Sequence, residues 1–327
     1  MYHSSTQKRD WLFKDQQSIN VKREAANRAF CSAHEASAQE KGVQLLTPVE
    51  EDIVVQYYLK KLVEFCSLFN PPSWAPLPKT ALVTAVTYYK RLYTQCSVME
   101  FHPKDMFLCC VFLAFKVDEY NLSLEQFVNM LAPHLIQSTS EYIISHELLL
   151  LKKLQFQLTV HSPFRPMSGF ILDMKTRAPQ LPNPDMFRKV ADSFLVQSLG
   201  SDVAFLYPPS QIGLAALWHS AKQTHNRVDG YILSVLLNSE GSDTIDTIMD
   251  LLQKIEDLVF SVKLPDGAML APVEAKLQQC SIQALTIATT TTKSRKRQSE
   301  DNLSVGGSDG KKHRSDQEPS PWSLEID

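Results

Sequence analysis

The chain has 327 residues, a formal net charge of -3 and 44% hydrophobic residues, which is enough apolar content for about two ordinary domains, each with its own core. So balanced a charge gives no global attraction to phosphates, which excludes whole-surface nucleic-acid binding and leaves no direct nucleic-acid contact expected. No stretch reaches the roughly 18 apolar residues of a membrane span, and the opening "MYHSSTQKRDWLFKDQQ" lacks the apolar run of a signal peptide, so a protein that stays inside the cell, with no membrane partner, is expected.

In chain order, residues 15–37 carry a helical pattern that stands apart from the helices after residue 47. The first sharp start is Thr47-Pro48-Val49-Glu50, where threonine can cap, proline suits the first helical position and glutamate can reach back. Behind it Val54, Tyr58, Leu62, Phe65 and Phe69 recur at steps of four and three. A second helix places Leu82, Ala85, Val86, Tyr89 and Tyr93 on one face. A third opens at Pro103 and is apolar all round through "MFLCCVFLAF", as expected of a helix surrounded by others. Ser123 to Gln126 forms a second capping-box pattern before a short helix. Ser138 to Glu141 forms a third, before a longer helix that should end near Phe156 and Leu158.

"TVHSPFRP" interrupts this set of five helices, and a second set of five comes after it: Met167 to Arg177, Pro184 to Leu199, Pro209 to about Thr224, Val228 to Leu237, and Ile245 to about Val262. In the middle one, "SQIGLAALWHSA", small residues allow close helix approach. The last shows Ile245, Ile248, Leu252, Ile255 and Val259 on one stripe. The expected organisation is therefore all-α: an N-terminal segment with a helix (1–47), two tandem five-helix domains (48–161 and 162–264) and a C-terminal helix (265–288). A polar, Gly/Ser/Pro-punctuated tail (289–327) should be disordered.

Catalytic patterns are missing. There is no G-x-S-x-G elbow, no H-E-x-x-H and no glycine-rich loop between strand and helix, and the nine histidines show no ligand spacing, so neither metal nor cofactor is expected. None of the six cysteines is spaced as C-x-x-C, and they read as reduced core residues.

Two charges stand out. Lys116 ends the most apolar helix, with Leu113 and Phe112 one turn back. It reads either as a lysine snorkelling from a helix C-terminus, favoured by the macrodipole, or as half of a pair. Glu147 has Ile143, Ile144, Leu150 and Leu151 at its helical neighbour positions, and a carboxylate there needs a partner. Together they suggest a semi-buried pair, or charges awaiting another protein.

"FLAFKVDEY" on the third helix and "HELLLLKKLQFQL" on the fifth resemble the cyclin box, and two successive boxes resemble a complete cyclin. Longer phrases, "SVMEFHPKDMFLCCVFLAFKVDEYN", "VHSPFRPMSGFILDMKTRAP" and "FLYPPSQIGLAAL", are similar to the H branch of that family. The resemblance implies a non-catalytic activator of cyclin-dependent kinase 7, with the assembly factor ménage-à-trois 1 as a third subunit, acting on other cyclin-dependent kinases. Within general transcription factor II H it would act on the RNA polymerase II C-terminal repeat. It implies a kinase-binding face of Lys116, Val117, Glu119, Glu147, Leu151, Phe156 and Leu158.

The first helix, "EEDIVVQYYLKKLVEF", lacks the hydrophobic-patch sequence with which cell-cycle cyclins dock substrates. Arg9-Asp10-Trp11-Leu12 matches only the core of a cyclin degradation signal. In the tail, Lys293, Arg295, Lys296 and Arg297 with Lys311, Lys312 and Arg314 resemble a split nuclear import signal, and the nucleus is the expected location. The rival readings are another transcriptional cyclin, such as cyclin C, or a factor II B-like DNA-holding scaffold of the same double helical fold.

Overall fold

The computed structural model describes residues 2–69, 76–178, 183–224, 231, 232, 236 and 242–280. Among them the regular structure is helical: α1 (Thr6–Trp11), α2 (Gln16–Lys41), α3 (Pro48–Leu68), α4 (Lys79–Leu92), α5 (Pro103–Val117), α6 (Leu124–Val128), α7 (Ile136–Lys153), α8 (Phe164–Arg177), α9 (Arg188–Ser198), α10 (Val203–Leu206), α11 (Pro209–Gln223) and α12 (Ser242–Ser261). A C-terminal helix covers 267–280. The import candidates, the expected disordered tail and most of the expected helix Val228 to Leu237 lie outside the described residues.

The first set is built around α5, which packs against α4, α7 and α3. His102 caps it, its Nδ1 accepting the Lys104 N–H at 3.1 Å, and every residue from Met106 to Phe115 is buried. The stripes expected on α3 and α4 are buried without exception. Both predicted capping boxes at Thr47/Glu50 and Ser123/Gln126 form. In the second set α11 occupies the matching central place against α9, α8 and α12. Gly213 makes this possible: a Cβ there would stand 3.0 Å from the Met167 nitrogen and the Pro163 carbonyl oxygen.

Three expectations need correction. The box predicted at Ser138/Glu141 does not form, because α7 starts two residues earlier, out of a 3-10 turn at Pro133–Leu135. Ser138 Oγ instead donates to the Leu135 carbonyl, and Glu141 accepts from Gln137 one turn back. Second, α7 stops at Lys153, so Phe156 and Leu158 belong to the segment after the helix. The stop is conformational: Gln155 and Phe156 both have φ of +55°, and the Phe156 N–H closes onto the Leu151 carbonyl at 2.9 Å. Third, the helix expected from Pro184 to Leu199 divides into a 3-10 turn, Pro184–Phe187, and α9.

The terminal segments act as braces. Trp11 is buried, and its Nε1 donates to the Gln157 side chain at 2.5 Å, which ties the middle of the Arg9–Leu12 stretch to the body while Arg9 stays exposed. Farther on, α2 reaches the second set, where Arg23 pairs with Asp202 at 2.8 Å. The C-terminal helix returns to the first set. Lys276 Nζ lies 2.9 Å from both Glu50 oxygens, and Glu274 accepts from Tyr58 OH at 3.2 Å and meets His102 Nε2 at 2.9 Å.

Candidate functional site

Helices α5 and α7 pack against each other. Near the C-terminus of α5 the Lys116 ammonium pairs with Glu147, which projects from the middle of α7. The lysine stem crosses the Phe112 ring, with Nζ 5.4 Å from its centroid. Lys116 keeps 44% of its side-chain exposure and Glu147 25%, so the pair sits at the rim of the core with one side open. Exposed ion pairs of this kind stabilise a chain by about 0–1 kcal/mol. Fold stability alone is therefore a weak reason for the pair.

Both helices end in the same way. Glu119 takes a φ of +58°, and the Tyr120 N–H reaches back to the Phe115 carbonyl at 2.8 Å, as Phe156 does to Leu151. These closures normally use glycine, since a left-handed L-residue costs about 1–2 kcal/mol. Here Glu119, Gln155 and Phe156 occupy those positions, so strained backbone follows both helices.

The apolar candidates divide. Val117, Leu151 and Leu158 are half-buried and rest on the core, offering only their edges. The Leu158 carbonyl also accepts Tyr88 OH at 2.6 Å, which fixes the segment after α7. Phe156 is 61% exposed. Two residues not singled out from the sequence join it: Ile144 at 68% and Leu148 at 56% exposure, three before and one after Glu147. With Leu151 they follow i, i+4, i+7 spacing, a second apolar stripe beside the buried one of Ile143, Leu150 and Leu154. The run of four leucines at 148–151 feeds both stripes, and that was the available signal.

The chemistry present is that of binding: one fixed charge pair, a solvent-facing apolar stripe and rigid turns. Among the described residues no group of His, Cys, Asp and Glu is placed to hold a metal ion, and no helix is long and apolar enough to cross a membrane.

Comparison with known proteins gives the family. Residues 60–159 match the description "Cyclin, N-terminal domain" and residues 162–260 "Cyclin C-terminal domain". Cyclin-H of Xenopus laevis is 36% identical over 292 residues, covering 88% of this chain and 89% of its own. Cyclin mcs2 of Schizosaccharomyces pombe is 31% identical, over 67% of this chain and 69% of its own. In fold, a chain of the CAK complex of Chaetomium thermophilum bound to ATP-gamma-S superposes with a TM-score of 0.71 at 23% identity, covering 94% of this chain and 98% of that one. A chain of the yeast TFIIK (Kin28/Ccl1/Tfb3) complex superposes at 0.59 and 23% identity, covering 79% and 100%. The chain belongs to the cyclin family, in its cyclin-H branch.

Proposed function

We infer that this cyclin is the non-catalytic regulatory subunit of a CDK-activating kinase, that its kinase is cyclin-dependent kinase 7, and that the pair works in the nucleus within general transcription factor II H. The assembly factor ménage-à-trois 1 completes the complex in this reading. Support comes from the cyclin-H relatives and from the likeness of fold to chains in CAK and TFIIK complexes. The single observation that carries the site is the Lys116–Glu147 pair, with the exposed apolar residues Ile144 and Leu148 next to Glu147 on the same helix.

On this reading Lys116 and Glu147 are fixed polar anchors and the stripe supplies apolar area. Val117, Glu119, Leu151 and Leu158 contribute edges. A free kinase samples positions of its mobile helix in which the catalytic lysine and helix glutamate are apart. A rigid surface that binds only the inward position raises the active population, by no more than its differential affinity for the two states. Strained but well-anchored turns suit that role, because a surface that yields transmits no preference.

The test is co-purification with cyclin-dependent kinase 7, with and without the assembly factor, followed by activity on an RNA polymerase II C-terminal repeat peptide. Association with raised activity is expected. In titration calorimetry Glu147→Ala should lose about 2–5 kcal/mol of binding, at least tenfold in affinity. A folded variant with unchanged affinity removes Glu147 from the site.

A further inference from the structure

The turn after α5 rests on α4 on one side and borders an open groove on the other. The groove holds about 1060 Å3 between Thr80, Val117, Asp118 and Glu119 of the first set and Arg165 and Gln211 of the second. Within the turn, Val117 is half-buried against the core and Tyr120 is buried. Glu119 between them is exposed and carries the φ of +58°. A left-handed residue other than glycine persists only where its surroundings over-determine it.

Asp118 supplies that determination from inside the turn. Its N–H closes on the Ala114 carbonyl at 2.9 Å, and its Oδ2 accepts the Thr84 hydroxyl at 3.2 Å. Thr84 belongs to α4 and is 3% exposed, so the bond runs from the strained turn to a fixed point in the core. Asp118 is also the C-cap of α5, where a carboxylate opposes the helix macrodipole. The dipole gives no reason for an acid there, whereas the Thr84 hydroxyl does. Burial raises the Asp118 carboxyl above its ordinary range, with the hydroxyls of Thr84 and Thr80 offsetting part of the effect.

We infer that Asp118 is a positioning residue for kinase binding: through its hydrogen bond to Thr84 it holds the turn that presents Glu119. The inference rests on the reading of Glu119 as part of the kinase-facing surface. In this role Asp118 needs no contact with the kinase. A turn that samples several conformations binds only in proportion to the fraction that is competent, so a loosened tie is read as lost affinity. Thr84 belongs to the same device although it is buried beneath the surface that the partner meets.

The experiment measures affinity for cyclin-dependent kinase 7 by titration calorimetry, using the full chain and checking the fold of each variant by melting. Thr84→Val removes the donor at a site no partner can touch. It should weaken binding by about threefold to tenfold, the span of one hydrogen bond, while the Tm stays near that of the wild type. Asp118→Ala should lose as much. Asp118→Asn keeps an oxygen for the Thr84 hydroxyl and should restore most of the affinity. If Asp118→Asn binds as poorly as Asp118→Ala, the carboxylate charge itself meets the kinase and the positioning role is overturned. Wild-type affinity in Thr84→Val overturns it as well. Glu147→Ala in the same series keeps the two readings apart: a loss there with none in Thr84→Val removes only the role of Asp118, whereas no loss at Glu147 removes that residue from the kinase-facing surface on which the inference rests.

Discussion

Arg23 grips Asp202 with both terminal nitrogens, at 2.8 and 2.9 Å, and so joins the N-terminal helix to the second set. The buried Lys90 of the first set meets the same carboxylate at 3.2 Å, and Gln16 donates to it at 2.8 Å. Three parts of the chain thus converge on one acid.

Asp202→Asn should therefore be among the most damaging single changes, costing about 3–5 kcal/mol, because it takes the paired carboxylate away from the buried Lys90 and the partly buried Arg23. Burial by itself would raise the Asp202 carboxyl, but Lys90 and Arg23 outweigh it and hold the group well below the usual carboxylate range. A lowered folded pKa contributes stability that is present above the unfolded value of about 3.9 and is lost as pH falls through the folded value. The gap in Tm between wild type and variant should stay open from pH 7 to pH 4 and narrow only in stronger acid, which thermal melts across that range will read.

Glu51 predicts the opposite sign. It is buried on α3 with no paired cation among the described residues, accepting from Ser97 Oγ. Burial raises its carboxyl above the ordinary value, with Ser97 and Asn27 offsetting part of the effect. A raised folded pKa gives stability that is full below the unfolded value and lost as pH rises through the folded one. Glu51→Gln should thus raise stability at pH 7 by about 1 kcal/mol and flatten the Tm profile between pH 4 and pH 7. A lower Tm at pH 7 would mean that the charge itself is required.

These two carboxylates mark the limit of what the sequence makes legible. Lys116 and Glu147 are conspicuous because each interrupts an apolar pattern, and the helices carrying them follow from caps and spacing. Lys90 and Arg91, by contrast, are not set apart by the sequence: basic residues are ordinary near a helix C-terminus, where the macrodipole favours them. Both are buried because partners arrive from elsewhere: the Ser201 carbonyl lies 111 residues beyond Lys90 and the Gln157 carbonyl 66 beyond Arg91, and no local pattern announces those meetings. Ile144 and Leu148 were hidden for a different reason. A run of leucines satisfies the buried stripe whichever members face inward, so periodicity could not separate core from surface.

Close packing between α8 and α11 gives a third test. Alanine in place of Gly213 improves helix propensity by about 1 kcal/mol. Its Cβ, however, would press on backbone atoms at 3.0 Å, which cannot rotate aside. Overpacking of this kind costs about 1–3 kcal/mol, so Gly213→Ala should lower the denaturation midpoint despite the better helix former. An unchanged midpoint would show that α8 can shift without loss.

The last prediction separates binding from folding at Phe156. Its ring is 61% exposed and its φ is +55°, so in the free chain it brings little burial and carries backbone strain. Phe156→Gly removes a strain of about 1–2 kcal/mol, offset by the greater freedom of glycine in the unfolded chain, about 0.5–1 kcal/mol. The variant should melt at the wild-type temperature or slightly above. If the ring is an anchor for the kinase, the same change should weaken association by about 2 kcal/mol or more, the scale of a truncated aromatic hot spot. Melting and calorimetry on one variant would then move in opposite directions, an outcome that a purely structural Phe156 cannot give.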